Sequence, residues 1–227
     1  LSIDTSTKWA GLALSNQGNT IVEVNWFSEP NHSVELLPAI ERIRIQSGLL
    51  LKDLTKIIVA LGPGSFSALR VGISVAKAFA SAQRIPLVSV GTLEIEAEPY
   101  LGAGIPVCAV IEAGRESVYA GLYDDPASAD SQIGQRVVTY DELVAMVHGQ
   151  RILFCGEGLD AVSSTLKDKQ RGFALLASVP PPTRRPSVLA HLGHQRLQAG
   201  DTDDPHTLQP LYMRGSQFEV AKRARRL

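Results

Sequence analysis

The sequence predicts a duplicated α/β fold, in which two lobes each hold a mixed sheet with flanking helices. Three observations carry this. "IDTSTKWAGL" (residues 3–12) lines up with "IEAGRESVYAGL" (111–122), each reading Ile plus an acid, a turn, then aromatic-Ala-Gly-Leu. "IIVALGPG" (57–64) lines up with "ILFCGEG" (152–158) in the same order, and ordered self-similarity is the mark of a repeated architecture rather than a single doubly wound sheet. The chain has 227 residues and 44% hydrophobic content, enough to give two lobes of about 100 residues a core each.

In chain order, residues 1–4 read as a strand that stops at "DTSTK". "WAGLAL" (9–14) follows, and "NQGN" (16–19) turns the chain into "TIVEVNWF", which makes a three-strand antiparallel meander. Leu36, Leu37, Ile40 and Ile43 form an apolar stripe on a helix over 33–46, which Gly48 stops. Pro38 lies inside that pattern and predicts a kink or a late start. "KIIVAL" (56–61) is a buried strand, followed by a glycine loop, a helix over 66–83 and the strand "PLVSV". A short helix opens at Gly91 and Thr92.

The programme then restarts. "PVCAVI" and "SVYAGLY" are strands, "RVVTY" is a third, and Thr139 with Glu142 forms a capping box for the helix "TYDELVAMV". Residues 124–135 are a polar loop. "PPPTRRP" (180–186) reads as a return segment with no functional role, leading to a helix over 187–198 that packs back on the first lobe. The expected borders are a first lobe over 1–104, a second over 105–185, and a returning helix with a basic tail over 186–227.

Lysine and arginine number 22 against 23 acids, so the net charge of −1 provides no global field for a polyanion. No apolar run reaches the eighteen or so residues of a membrane span. Cys108 and Cys155 sit in apolar runs and are expected to be reduced core residues of a cytoplasmic protein. The chain opens at Leu1 without a methionine, so a few residues are expected to precede it.

Candidate chemistry gathers in the first lobe. Asp4 and Thr5 stand where this architecture places an acid near a metal or a phosphate; the alternative is that they cap a β-turn through side-chain hydrogen bonds. Gly62, Gly64 and Ser65 precede a helix, whose free N–H groups and dipole suit an anion, although a tight strand-to-helix turn needs glycine anyway. Arg70, one turn further, faces an anion, a partner's carboxylate, or a surface salt bridge. Ala68, Gly72, Ala76 and Ala80 recur every four residues and form a ridge almost free of side chain. That ridge packs either another chain or this protein's own sheet. If it packs another chain, Gly72→Leu blocks the pairing and spares the fold.

No metal site is expected. His191 and His194 are three apart but lack a third ligand, while His32, His148 and His206 are isolated. No serine, histidine and acid arrangement suggests hydrolysis. Lys222, Arg223, Arg225 and Arg226 make a basic tail that is either solvated or in contact with RNA phosphates.

"IDTSTKWAGLAL", "GPGSFSALRVGISVAKAFA", "VSVGTLE" (88–94), "IEAGRESVYAGLY" and "QPLYMR" (209–214) together resemble the TsaB (YeaZ) family over nearly the whole chain. The resemblance implies an actin-like (ASKHA) fold and a catalytically silent subunit. Such a subunit binds and activates TsaD, which transfers the threonylcarbamoyl group to adenosine next to the tRNA anticodon. It implies TsaE as a further member of the complex, a homodimer when the chain is alone, and only indirect contact with tRNA. No cofactor is implied for the chain itself, and ATP or ADP at the junction of the complex is the candidate. Where TsaD carries metal-binding histidines, this chain reads "TLEIEAEPYL" (92–101), with Leu93, Glu94 and Ile95.

Family members pair through the two helices of the first lobe. Here this points to Leu36, Ile40, Ile43, Ala68, Gly72, Val75, Ala76 and Phe79 as the interface, closing into a four-helix bundle. Two departures stand out: Ser67 and Ala68 replace the usual Thr-Gly, and Glu112 replaces the commoner aspartate. The alternative function is an independent actin-like ATPase or small-molecule kinase.

Overall fold

The computed structural model describes residues 1–29, 31–123, 134–177 and 179–213. The helices are α1 (His32–Ser47), α2 (Phe66–Gln83), α3 (Thr92–Ala97), α4 (Tyr140–Met146), α5 (Leu159–Lys169) and α6 (Pro186–Gln198). Five strands form the first sheet: β1 (Ser2–Asp4), β2 (Trp9–Asn16), β3 (Asn19–Phe27), β4 (Ile57–Gly62) and β5 (Leu87–Gly91). Their order is β3-β2-β1-β4-β5. β1, β2 and β3 pair antiparallel, and β4 and β5 add in parallel. The β2–β3 turn carries Gln17 at φ 50 and Gly18 at φ 84, the left-handed backbone that a tight hairpin demands.

The second sheet is built from β6 (Val107–Glu112), β7 (Ser117–Tyr123), β8 (Arg136–Thr139), β9 (Ile152–Cys155) and β10 (Ala174–Leu176). Its order, β10-β9-β6-β7-β8, is that of the first sheet read from the other edge, with the same antiparallel and parallel pairings. Asp4 and Glu112 close equivalent strands, so the duplicated actin-like fold is present as the sequence predicts. The Thr139–Glu142 capping box also forms, with Thr139 N donating to Glu142 Oε2 at 2.7 Å and Glu142 N to Thr139 Oγ1 at 3.2 Å.

Burial follows the two-residue period of the strands. Ile57 and Val59 of β4 join Ile3, Leu12, Leu36, Ile40, Ile43, Leu69 and Ile73 in one core, under α1 and α2. Ile58 and Ala60 point to the opposite face and pack with Leu189 and Leu192 of α6. A Cβ on Gly11 would overlap the Pro186 ring, and one on Gly193 would overlap the Ile58 side chain. The missing side chains are thus what let α6 lie against the sheet. Pro38 neither delays nor ends α1, which begins at His32 and runs through it to Ser47.

The chain divides into two compact units. The first holds Leu1–Ile95 and Pro180–Tyr212, and the second is built on Glu96–Val179. The sequence borders, after 104 and after 185, differ from this division. Glu96 belongs with the second unit because its carbonyl accepts from Cys155 Sγ at 3.4 Å and its carboxylate from Glu157 N at 3.2 Å. Arg184 belongs with the first for the reason given next.

Candidate functional site

Asp4 ends β1 and is fully engaged by its own chain. One carboxylate oxygen accepts from Ser6 N at 2.8 Å and Ser6 Oγ at 2.5 Å. The other accepts from Arg184 Nε at 2.8 Å, and the two side chains are 5% and 2% exposed. Arg184 Nη2 donates to Thr7 Oγ1 at 2.7 Å, and Thr7 Oγ1 also takes Trp9 N at 3.2 Å. The acid that this architecture offers to a cation therefore already has one, a guanidinium from "PPPTRRP". The sequence reading of that segment as without a role is corrected here. Burying a carboxylate costs its hydration unless a cation and hydrogen bonds replace it, and Arg184 with Ser6 supplies both.

The glycine loop closes on the same turn. Ser65 N donates to Ser6 O at 2.7 Å, and a Cβ on Gly64 would overlap that oxygen. Gly62, at φ 114, faces the carbonyl of Leu211, whose own N–H donates to Leu61 O at 2.9 Å. The N–H of Ser65 is thus spent on backbone, and Gly64 serves close chain approach. Asp4, Thr5, Gly62, Gly64 and Ser65 are brought together, and the polar contacts of three of them stay within the chain: Asp4 with Ser6 and Arg184, Thr5 with α2, and Ser65 N with Ser6 O.

Thr5 makes the tightest link. Its hydroxyl donates to Ala68 O at 2.7 Å and accepts from Gly72 N at 3.1 Å, so it bridges an i, i+4 pair of α2. A Cβ on Gly72 would overlap the Thr5 hydroxyl. The ridge of Ala68, Gly72, Ala76 and Ala80 therefore faces the protein's own sheet and is buried. This corrects its assignment, and that of Gly72→Leu, to another chain's surface: helical spacing shows which residues share a face, not which way the face points.

Leu36, Ile40 and Ile43 are likewise core residues, and Val75 and Phe79 pack half-buried against them. What α1 and α2 turn outward is a different set. Val34, Leu37, Ile45 and Phe66 are 67%, 53%, 63% and 53% exposed. Ser67, Ser74 and Ala78 are exposed along α2 and form a second line of small residues, on its outer side.

Arg70 does not join Asp4. Its Nε donates to Tyr212 Oη at 2.8 Å, and its guanidinium lies 3.8 Å from the centre of the Phe66 ring. Tyr212 and Phe66 stack with centroids 4.8 Å apart. In α3, Leu93, Glu94 and Ile95 are buried, and Glu94 pairs with Arg196 at 2.6 Å. His191 meets Gln195, His194 meets Lys56 Nζ at 2.7 Å, and His32 contacts Thr7 O at 2.9 Å. Burial pushes the Cys108 thiol up to about 12 and raises that of Cys155 as well, which fits core residues. Lys222, Arg223, Arg225 and Arg226 lie outside the described residues.

Sequence reasoning missed Arg184, Tyr212, Val34 and Ile45, and it set Leu37 on the apolar stripe with Leu36, Ile40 and Ile43, whereas Leu37 is turned away from that core and exposed. Arg184 is 180 positions from Asp4, and no local pattern links the two. The burial of Leu36 and Ile40 was legible in the 3–4 residue spacing, and the same spacing would have put Val34 and Ile45 on the opposite side.

Known proteins converge on one family. Residues 27–184 match the family model described as TsaD, tRNA N6-adenosine threonylcarbamoyltransferase. The tRNA threonylcarbamoyladenosine biosynthesis protein TsaB of Bacillus subtilis (strain 168) is 31% identical over 97% of this chain and 96% of its own length. TsaB of Escherichia coli (strain K12) is 31% identical over 54% of each chain. A crystal structure from Pseudomonas aeruginosa, described as similar to peptidase YEAZ, superposes with a TM-score of 0.77. It covers 94% of this chain and 98% of its own at 24% identity, which speaks to the fold.

Proposed function

Because this chain belongs to the TsaB family of tRNA threonylcarbamoyladenosine biosynthesis proteins, we propose that it is the non-catalytic subunit that binds and activates TsaD for threonylcarbamoyl transfer. The observation that carries this reading is the Asp4–Arg184 pair. A nucleotide-using member of the fold needs the acid of its first strand for a cation or a water, and here that acid is neutralised from within. The same pair weighs against an independent ATPase or kinase, since a metal at Asp4 would have to displace a buried guanidinium at a cost of several kcal/mol.

In this reading the outer face of α1 and α2 is the pairing surface. Val34, Leu37, Ile45 and Phe66 supply apolar area, and the small residues of α2 allow a partner helix to come close. TsaD is the principal partner, TsaE joins the larger complex, and a second copy occupies the same face when the chain is alone. Contact with tRNA runs through TsaD, and ATP or ADP belongs to the junction of the complex rather than to the Asp4 turn. In this reading the protein works in the cytoplasm, alongside its tRNA.

The test is direct association with TsaD from the same organism, followed by size-exclusion chromatography with light scattering. A one-to-one complex is expected. Separate elution of the two chains at micromolar concentration would overturn the pairing.

A further inference from the structure

We propose that Arg70, clamped by Phe66 and Tyr212, is the residue of the α1/α2 face that selects the transferase over a second copy, by receiving a carboxylate of the transferase. The inference rests on the pairing proposed above and deepens it.

Three features of the cluster support this. Arg70 is on the exposed side of α2, yet it is not a free surface side chain. Its Nε is fixed on Tyr212 Oη at 2.8 Å, and its Cζ lies over the Phe66 ring, 3.8 Å from the centroid. Tyr212 is in turn held because Leu211 N donates to Leu61 O at 2.9 Å, and Lys77 Nζ secures the same segment through Leu208 O at 3.0 Å. The ordering cost of a long side chain is therefore met before a partner arrives, and among the described residues no acid neutralises Arg70. A half-exposed aromatic flanking an arginine is the composition of an interface anchor.

Charge decides the occupant. Helix α2 carries Arg70 and Lys77 and no acid. The acids of α1 are committed within the chain: Glu41 pairs with Arg44 at 2.5 Å, and Glu35 accepts from Trp26 Nε1 at 3.0 Å. A second copy thus brings cations and spent carboxylates to this face, whereas a partner with a free Asp or Glu completes it.

The experiment measures the dissociation constant for TsaD by titration calorimetry, and self-association of the chain alone by analytical ultracentrifugation. Wild type, Arg70→Glu, Arg70→Lys and Tyr212→Phe are compared, each first checked for an unchanged melting curve. Arg70→Glu is expected to weaken TsaD binding by about tenfold or more. Tyr212→Phe and Arg70→Lys should weaken it by a few-fold, with self-association no weaker in any of them. Wild-type binding with an unaltered constant for Arg70→Glu overturns this inference alone. So does equal loss of self-association, or loss of tRNA binding with the TsaD constant unchanged, which would make Arg70 a phosphate contact. Absence of binding by the wild type overturns the pairing itself.

Discussion

Arg184 Nε lies 2.8 Å from Asp4 Oδ2, with 2% and 5% of the two side chains exposed, and this pair joins the first strand to the segment that precedes α6. Removing the arginine leaves a buried carboxylate with only Ser6 to satisfy it. Arg184→Met is expected to lower stability by about 3–5 kcal/mol, whereas Asp4→Asn with Arg184→Met together should cost less than the sum of the two single changes. Urea denaturation of the four proteins measures the coupling. Additive losses would mean that the pair is not a unit.

The Thr5 hydroxyl and Gly72 make a second sharp prediction. Gly72→Ala drives a methyl into that hydroxyl, so it should destabilise the protein by about 1–3 kcal/mol although alanine favours helices elsewhere. Thr5→Ser keeps the bridge to Ala68 O and Gly72 N, and should be far milder than Thr5→Val. A Gly72→Ala protein as stable as wild type would show that α2 can shift away from the turn.

Cys108 gives a pH dependence with a definite sign. Its thiol titrates at about 12 in the folded chain because of burial, against an ordinary value of 9.0. Above pH 9 the unfolded chain loses this proton and the folded chain keeps it, so stability is fully present below pH 9 and declines as pH rises toward 12. The slope approaches about 1.4 kcal/mol per pH unit for one such group. Cys108→Ala should flatten the alkaline limb of a urea-midpoint profile, and in the native protein neither cysteine should react with a thiol reagent at pH 8.

The outward residues of α1 separate binding from folding. Val34→Asp and Leu37→Asp replace exposed side chains, so stability should change by no more than about 0.5 kcal/mol while association with TsaD is lost. Melting curves and co-elution read the two effects independently. Variants that pair normally would move the interface away from α1.

Much of this was legible in the sequence, because local and periodic features specify it. The two copies of Ile-acid-turn-aromatic-Ala-Gly-Leu became equivalent β1–β2 and β6–β7 hairpins, helix α2 spans the predicted 66–83, and the Thr139 cap formed. What was not legible depends on direction and distance. Alanine and glycine pack as well on a sheet as on a foreign helix, so the ridge at Gly72 carried no sign of which it meets. Arg184 looked like linker because burial of an arginine is decided by the acid it finds, and Asp4 is at the other end of the chain. Arg70 was open to several partners until Tyr212, from the last described segment, supplied one.

The most direct test of the central claim is threonylcarbamoyl transfer to unmodified tRNA by TsaD and TsaE, supplied with threonylcarbamoyl-adenylate, with and without this chain. Product is expected only when the chain is present, with Leu37→Asp failing to replace it. Equal product in its absence, using partners from the same organism, would contradict the claim that the chain is the activating subunit.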